Sequence, residues 1–171
     1  MSIQALARPN VRRRDGVGDW GVWSVEAPGG IARTTDVGGV TEVVVADAEP
    51  ADAVVQGFAA LACTLEGGVF VVAHAAPPAL LISPRGCRPA PAEPDGRELL
   101  ELEHDERLLV LSSSVLDAQP TALSRELQRP AGELCQTDPA DLLVRLFHEI
   151  PSGAGVVLAR HPTADQERSQ P

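Results

Sequence analysis

Lysine and tyrosine are absent from this 171-residue chain, aromatic residues make up 3% of it, and it has only three cysteines. All fourteen basic residues are arginine; with the abundance of alanine, that bias fits a GC-rich coding sequence and carries no functional weight. Cys63, Cys87 and Cys135 stand far apart with no Cys-x-x-Cys pair. That excludes a disulfide framework and a zinc site and leaves them as small hydrophobes in a reduced cytoplasm. No run of roughly 18 apolar residues exists for a membrane span, and Met1 to Leu6 lacks the apolar core of a signal peptide. A cytoplasmic location without membrane partners is expected. The net charge is -10, with acidic residues spread along the chain, so nucleic acid, whose phosphates demand clustered cations, is excluded as a partner. Catalytic signatures are equally scarce: there is no Gly-x-Ser-x-Gly elbow, no His-x-x-x-His pair and no glycine-rich phosphate loop.

Hydrophobic residues at 44% and charged residues at 22% describe a globular chain, long enough for one domain whose core needs no disulfide or metal. Residues 1–18 read as a polar N-terminal segment holding the solvated run Arg12-Arg13-Arg14, 19–161 as the single domain, and 162–171 as a disordered polar tail. Trp20 to Val25 alternates as a strand, with Trp20 and Val22 on one face and Trp23 and Val25 on the other. The turn chemistry of Ala27-Pro28-Gly29-Gly30 then predicts a hairpin. Val40 to Ala46, rich in β-branched residues, predicts a strand buried on both faces and ending at Asp47. Pro50 suits a first helical turn, and Val54, Phe58, Leu61 and Leu65 recur at helical spacing, so a helix is expected from Pro50 to Leu65. Val69 to Ala73 and Ala79 to Ser83 read as partner strands, and the proline-rich residues 87–96 as a surface loop. Glu98 to Glu103 reads as a half-exposed strand, Pro120 to Leu127 as a short helix, and Asp138-Pro139 as the start of another. Gly155 to Arg160 supplies a last strand.

One stretch raises the question of chemistry. Arg107 to Leu111 reads as a buried strand, and Ser112-Ser113-Ser114 stands where it ends. A serine nucleophile needs a positioned base, and nothing in the sequence brings His74, His104, His148 or His161 to Ser113.

Gly18-Asp19-Trp20, Val44 to Asp47, Ala73 to Leu81, Arg107 to Asp117 and Ser152 to Arg160 follow in an order that resembles the metal-dependent protein phosphatases. This is the PPM or 2C-type family, in the bacterial branch of SpoIIE and the stand-alone RsbX-like phosphatases. The first segment resembles the family's Gly-Gly-Asp-aromatic strand, and the second its apolar strand ending in Gly-Asp. Ala73-His74-Ala75-Ala76-Pro77-Pro78-Ala79-Leu80-Leu81 matches its Asn-Ala-Gly-His-Pro-Pro-x-Leu-Leu hairpin without a gap. The fourth and fifth resemble its strand ending in Thr-Asp-Gly and its closing Asp-Asp-x-Thr strand.

The resemblance implies an α+β fold, a PPM-like sandwich of two antiparallel β-sheets flanked by α-helices. It also implies a site where aspartates bridge two Mn²⁺ or Mg²⁺ ions and a metal-bound water attacks phosphoserine or phosphothreonine. Carried onto this chain, the metal carboxylates would be Asp47 and Asp19. Ser113 falls on the Thr-Asp-Gly aspartate, and Ser152 and Gly153 fall on the closing Asp-Asp pair. Ala46 replaces the usual glycine, the Gly-His-Gly loop is missing, and Val22 stands where a second aspartate is expected. Neutral hydroxyls do not offset two adjacent dications, so the expectation is a degenerate site with no cofactor or a weakly bound Mn²⁺ or Mg²⁺ ion. Asp47 equally suits a helix N-terminal cap, and Asp19 an ordinary turn residue. The resemblance then implies a pseudophosphatase that regulates signalling by binding a regulatory protein, a phosphoprotein or an anti-sigma kinase. Two alternatives stay open. One is a divergent Mn²⁺- or Mg²⁺-dependent serine/threonine phosphatase recruiting carboxylates such as Asp36 or Asp117; the other is an unrelated α+β binding module.

Overall fold

Two kinds of apolar strand sort this chain into two sheets. Arg107–Leu111 and Ala154–Arg160 are apolar almost without interruption, as suits strands covered on both faces, whereas Phe58–Thr64 and Gly68–His74 bury every second residue. The computed structural model describes residues 9–47, 57–93, 95–118, 120–148 and 152–161. Its strands are β1 (Arg12–Asp15), β2 (Trp20–Glu26), β3 (Gly30–Val37), β4 (Val40–Asp47), β5 (Phe58–Thr64) and β6 (Gly68–His74). They continue with β7 (Ala79–Ser83), β8 (Gly86–Ala90), β9 (Arg97–Glu101), β10 (Arg107–Leu111) and, last in the chain, β11 (Ala154–Arg160). Helices α1 (Ser113–Ala118), α2 (Pro120–Leu127), α3 (Ala131–Gln136) and α4 (Pro139–Phe147) lie between β10 and β11. Every strand pairing is antiparallel, giving a six-stranded sheet β1-β2-β11-β10-β7-β8 and a five-stranded sheet β3-β4-β5-β6-β9.

The main core fills the space between the sheets, with Trp20, Val22, Val43, Leu61, Val71, Leu108 and Leu158 among its buried residues. A second core joins the other face of the six-stranded sheet (Val25, Ile82, Leu109, Val157) to Leu134, Leu142, Leu143 and Phe147 of the helices. α4 starts where its sequence predicts: Asp138 accepts from the amides of Ala140 and Asp141, and Pro139 occupies the first turn. Arg107, though burial pushes its guanidinium pKa down, donates to the carbonyls of Cys135 and Thr137 and so closes the C-terminal end of α3.

Several expectations are corrected. Phe58 to Thr64 is strand rather than helix; the proposed first turns at 50–56 lie outside the described residues. Phe58, Leu61 and Leu65 fit a helical period, but Ala59, Leu61 and Cys63 fit a strand period equally, and pairing to β4 and β6 on both sides decides for the strand. The turn after β2 is no hairpin, because β3 belongs to the other sheet. Likewise β6 and β7 are not partners: the Pro77-Pro78 turn passes from one sheet to the other. Arg12 to Asp15 is an edge strand, and the proline-rich loop begins as edge strand β8, where Pro89 needs no ladder amide. Val40 to Asp47 buries one face along its length and the other only at Ala46, leaving Glu42 and Val44 exposed.

Candidate functional site

At the end of β10 the three serines turn the chain from strand into helix, and two of them are consumed in holding it there. Ser112 is buried; its amide donates to the carbonyl of Ala154 at 2.9 Å, and its Oγ accepts from the Ala154 amide at 2.9 Å. The β10–β11 ladder is thereby extended one residue by a side chain. Ser114 faces the opposite sheet. Its amide donates to Oδ2 of Asp47 at 2.9 Å and its hydroxyl to Oδ1 at 2.5 Å, so each carboxylate oxygen accepts one bond from this residue. Asp47, the last residue of β4, is therefore the capping carboxylate at the start of α1, supplied from the other sheet. Ser113 lies between these two as the first residue of α1.

Gly153 completes this corner. Its amide donates to the carbonyl of Pro28 at 3.3 Å, its carbonyl accepts from the amide of Ala27 at 2.8 Å, and its φ is +107°. A Cβ there would lie 2.6 Å from Val115 Cγ2, 2.7 Å from Ser114 Oγ and 2.8 Å from Ser112 Oγ. No side chain fits, least of all a carboxylate. Ser152, half-buried, precedes it in the chain. The structure thus brings together Asp47, Ser113, Ser152 and Gly153 at one end of the sandwich. Glu26 joins them, since it ends β2 opposite Ala154 and its Oε1 accepts from the Ala32 amide at 3.2 Å. Sequence reading missed Glu26; extending the alternation of Trp20 to Val25 by one residue, to the turn, would have found it.

Asp19 is elsewhere. It precedes Trp20, which pairs with Arg160, whereas the serine corner adjoins Ala154 at the other end of β11. Six residues of strand, about 20 Å, separate the two ends, so Asp19 and Asp47 do not share a site. Asp19 instead accepts from Arg160 Nε at 3.1 Å and stands 2.8 Å from Nε2 of His104. Partial burial pushes its carboxyl up, but the hydrogen bonds from Arg160 and His104 outweigh that and hold it below the usual carboxylate range. Arg160 also donates to the carbonyl of Leu102 at 3.0 Å and lies over the Trp20 ring, 5.8 Å from its centroid. Asp36 pairs with Arg14 and accepts from Thr41 at 2.8 Å, and Asp117 is exposed on α1. These carboxylates do not converge.

Among the described residues the donor set does not fit two hard dications. Asp47 accepts from Ser114 on each oxygen, Glu26 is turned to Ala32, and no group of three His, Cys, Asp or Glu residues is placed to hold an ion. Nor, among the described residues, is any buried side-chain nitrogen or oxygen left without a partner. A serine triad is equally unsupported, because the Ser114 hydroxyl donates to a carboxylate rather than to an imidazole.

Two antiparallel sheets packed face to face, with helices on the sheet that ends at the serine corner, make this chain a protein of the PPM phosphatase fold. The PP2C phosphatase domain of the cell-fate determinant SpoIIE from Bacillus subtilis is similar at a TM-score of 0.60 and 12% identity, covering 90% of this chain and 66% of that one. The RsbU and RsbW domains of Rv1364c from Mycobacterium tuberculosis are similar at 0.59 and 14%, covering 95% and 65%. RsbX, solved with magnesium, is similar at 0.54 and 7%, covering 87% and 98%. The chain therefore spans just under two thirds of the length of the first two structures. No protein-family model and no curated protein matches the sequence. At these identities the likeness is one of fold. No described helix is long and apolar enough to cross a membrane.

Proposed function

We propose that this chain is a PPM-fold pseudophosphatase that regulates signalling by binding a protein partner. The observation that carries the reading is the corner where Ser114 donates to both oxygens of Asp47 while Gly153 leaves no room for a carboxylate. A metal-bound water needs several anionic ligands that hold two ions close together; here a single carboxylate, Asp47, is hydrogen-bonded to serine. The partner is a regulatory protein, a phosphoprotein or anti-sigma kinase, of the kind the resemblance to the SpoIIE and RsbX branch implies. Its action is cytoplasmic, and any Mn²⁺ or Mg²⁺ is weakly bound.

The test is calorimetric titration of Mn²⁺ into the full chain, alongside turnover of a phosphoserine peptide. The expected result is no two-ion isotherm and a release of phosphate that Asp47→Ala leaves unchanged. Two-ion binding with turnover abolished by Asp47→Ala overturns the reading. A second reading, the divergent phosphatase, draws on Glu26 and Asp47 lying at the same end. It requires that Glu26→Gln reduce Mn²⁺ affinity and turnover together.

A further inference from the structure

The helices described above cover one face of the six-stranded sheet, and the main core covers the other. Among the described residues, the two cores cover the five-stranded sheet on its inner face only. Across its outer face, strand pairing aligns Glu42, Ala62, Phe70 and Leu99 in one row and Val44, Ala60, Val72 and Arg97 in the next. The alanines of β5 form the floor of an open trough of about 200 Å³, with Glu42 and Val44 of β4 on one side and Phe70 and Val72 of β6 on the other. Phe70 is 40% exposed and Leu99 73%. Apolar surface of this kind, contiguous and rimmed by charge, marks a contact site.

We propose that this face docks a second copy of the same chain, an inference independent of any reading of the serine corner. The face is self-complementary: a trough and a ridge of similar length lie on neighbouring strands, about 4.8 Å apart. A two-fold axis parallel to the strands and midway between β5 and β6 lays the β6 ridge of each copy into the β5 trough of the other. Phe70 then meets Ala62 of the second copy, Val72 meets Ala60, and β4 faces β9. That places Glu42 diagonally across from Arg97 of the second copy, within reach of its long side chain, and the pair forms twice. Among the described residues neither Glu42 nor Arg97 has an ion-pair partner within the chain. The net charge of -10 on each copy opposes association, and the facing Glu42 and Arg97 pairs offset part of that repulsion. The overlap of four strands is on the order of 400 Å² per copy, about half the area of a standard stable interface, so the dimer is weak.

Sedimentation velocity on the full chain, from about 1 to about 300 µM, reads the association directly. The wild type is expected to shift from monomer toward dimer with a Kd on the order of 100 µM. Phe70→Asp weakens association at least about tenfold, as expected for a charge buried against alanine. Glu42→Arg weakens it, and the double variant Glu42→Arg, Arg97→Glu restores it, since each ion pair is rebuilt with its signs exchanged. Leu99→Ser serves as a second apolar variant should Phe70→Asp fail to fold. A wild type that stays monomeric throughout, association unmoved by both apolar variants, or a double variant no better than Glu42→Arg overturns the proposal. Monomers that capture a different protein on this face overturn it too.

Discussion

The two ends of the sandwich each hold one partly buried aspartate, and they satisfy it by opposite means. Asp19 is held by charge: a guanidinium and an imidazole converge on it, and the guanidinium is itself anchored to Leu102 and to the Trp20 ring. Asp47 is held by dipoles: an amide and a hydroxyl of Ser114 donate to it, and none of its recorded hydrogen bonds comes from a cation. A carboxylate already paired with cations is a poor metal ligand, because an incoming ion must displace them. Among the described residues Asp47 has no such cation to displace, but it sits where a glycine and the two serines bonded to Ala154 and Asp47 have taken the space. Of the two ends, then, one holds its aspartate by an ion pair and the other by hydrogen bonds from a serine, and it is to the second that the proposed pseudophosphatase reading applies.

The comparison breaks most visibly at Gly153. Gly153→Ala demands a left-handed backbone from an L side chain and presses its Cβ against Val115, Ser114 and Ser112. Strain and overpacking together cost about 2–4 kcal/mol, a fall of roughly 6–12 °C in Tm by thermal melt. Introducing an acidic residue here by Gly153→Asp costs at least as much and is expected to leave Mn²⁺ binding where it was.

The charged end responds next, and it responds to pH. Asp19→Asn removes the charge that Arg160 and His104 address and should cost about 1.5–3 kcal/mol at neutral pH. The carboxyl of Asp19 is held below its ordinary value when folded. Its contribution is therefore fully present above the unfolded pKa of about 4 and is lost as pH falls through the folded value. Urea melts at pH 7 and at about pH 3 should show the gap between wild type and Asp19→Asn narrowing in acid. A gap that is constant, or that widens as the medium becomes acidic, removes the charge-lock account.

The strands flanking the serines were legible because their residues admit one reading: Arg107 to Leu111 and Gly155 to Arg160 are too apolar for an edge and too short for a helix. Trp20 to Val25 was legible through its alternation, with Trp20 and Val22 facing one core and Val25 the other. Phe58 to Leu65 was not, since its apolar residues satisfy both periods and only the pairing with β4 and β6 separates them. Nor were β3 and β8, whose exposed polar residues resemble loop and whose strand character comes from neighbours. At the site, Asp47, Ser113 and Gly153 lie at one end of the sandwich and Asp19 at the other; a Gly-Asp-aromatic triplet says nothing of which end of the following strand it occupies. Glu26 lay at the other end of that strand, seven residues on.

The finest discrimination lies within the serine run. Ser114→Ala keeps the amide bond to Asp47 but deletes the hydroxyl bond, leaving Oδ1 of a partly buried carboxylate without that donor. A loss of about 1–2 kcal/mol is expected. Ser113 begins the same helix, yet no hydrogen bond of its hydroxyl to another described residue holds the corner together, so Ser113→Ala should stay within about 0.5 kcal/mol of wild type. The contrast between adjacent serines, read from urea midpoints, separates two accounts of the corner. If it is a hydrogen-bonded lock, the effect belongs to Ser114 and vanishes when Asp47 is already Ala, because the lost partner is the same. If instead the run matters only as a polar start to α1, the two alanine variants cost alike and neither depends on Asp47.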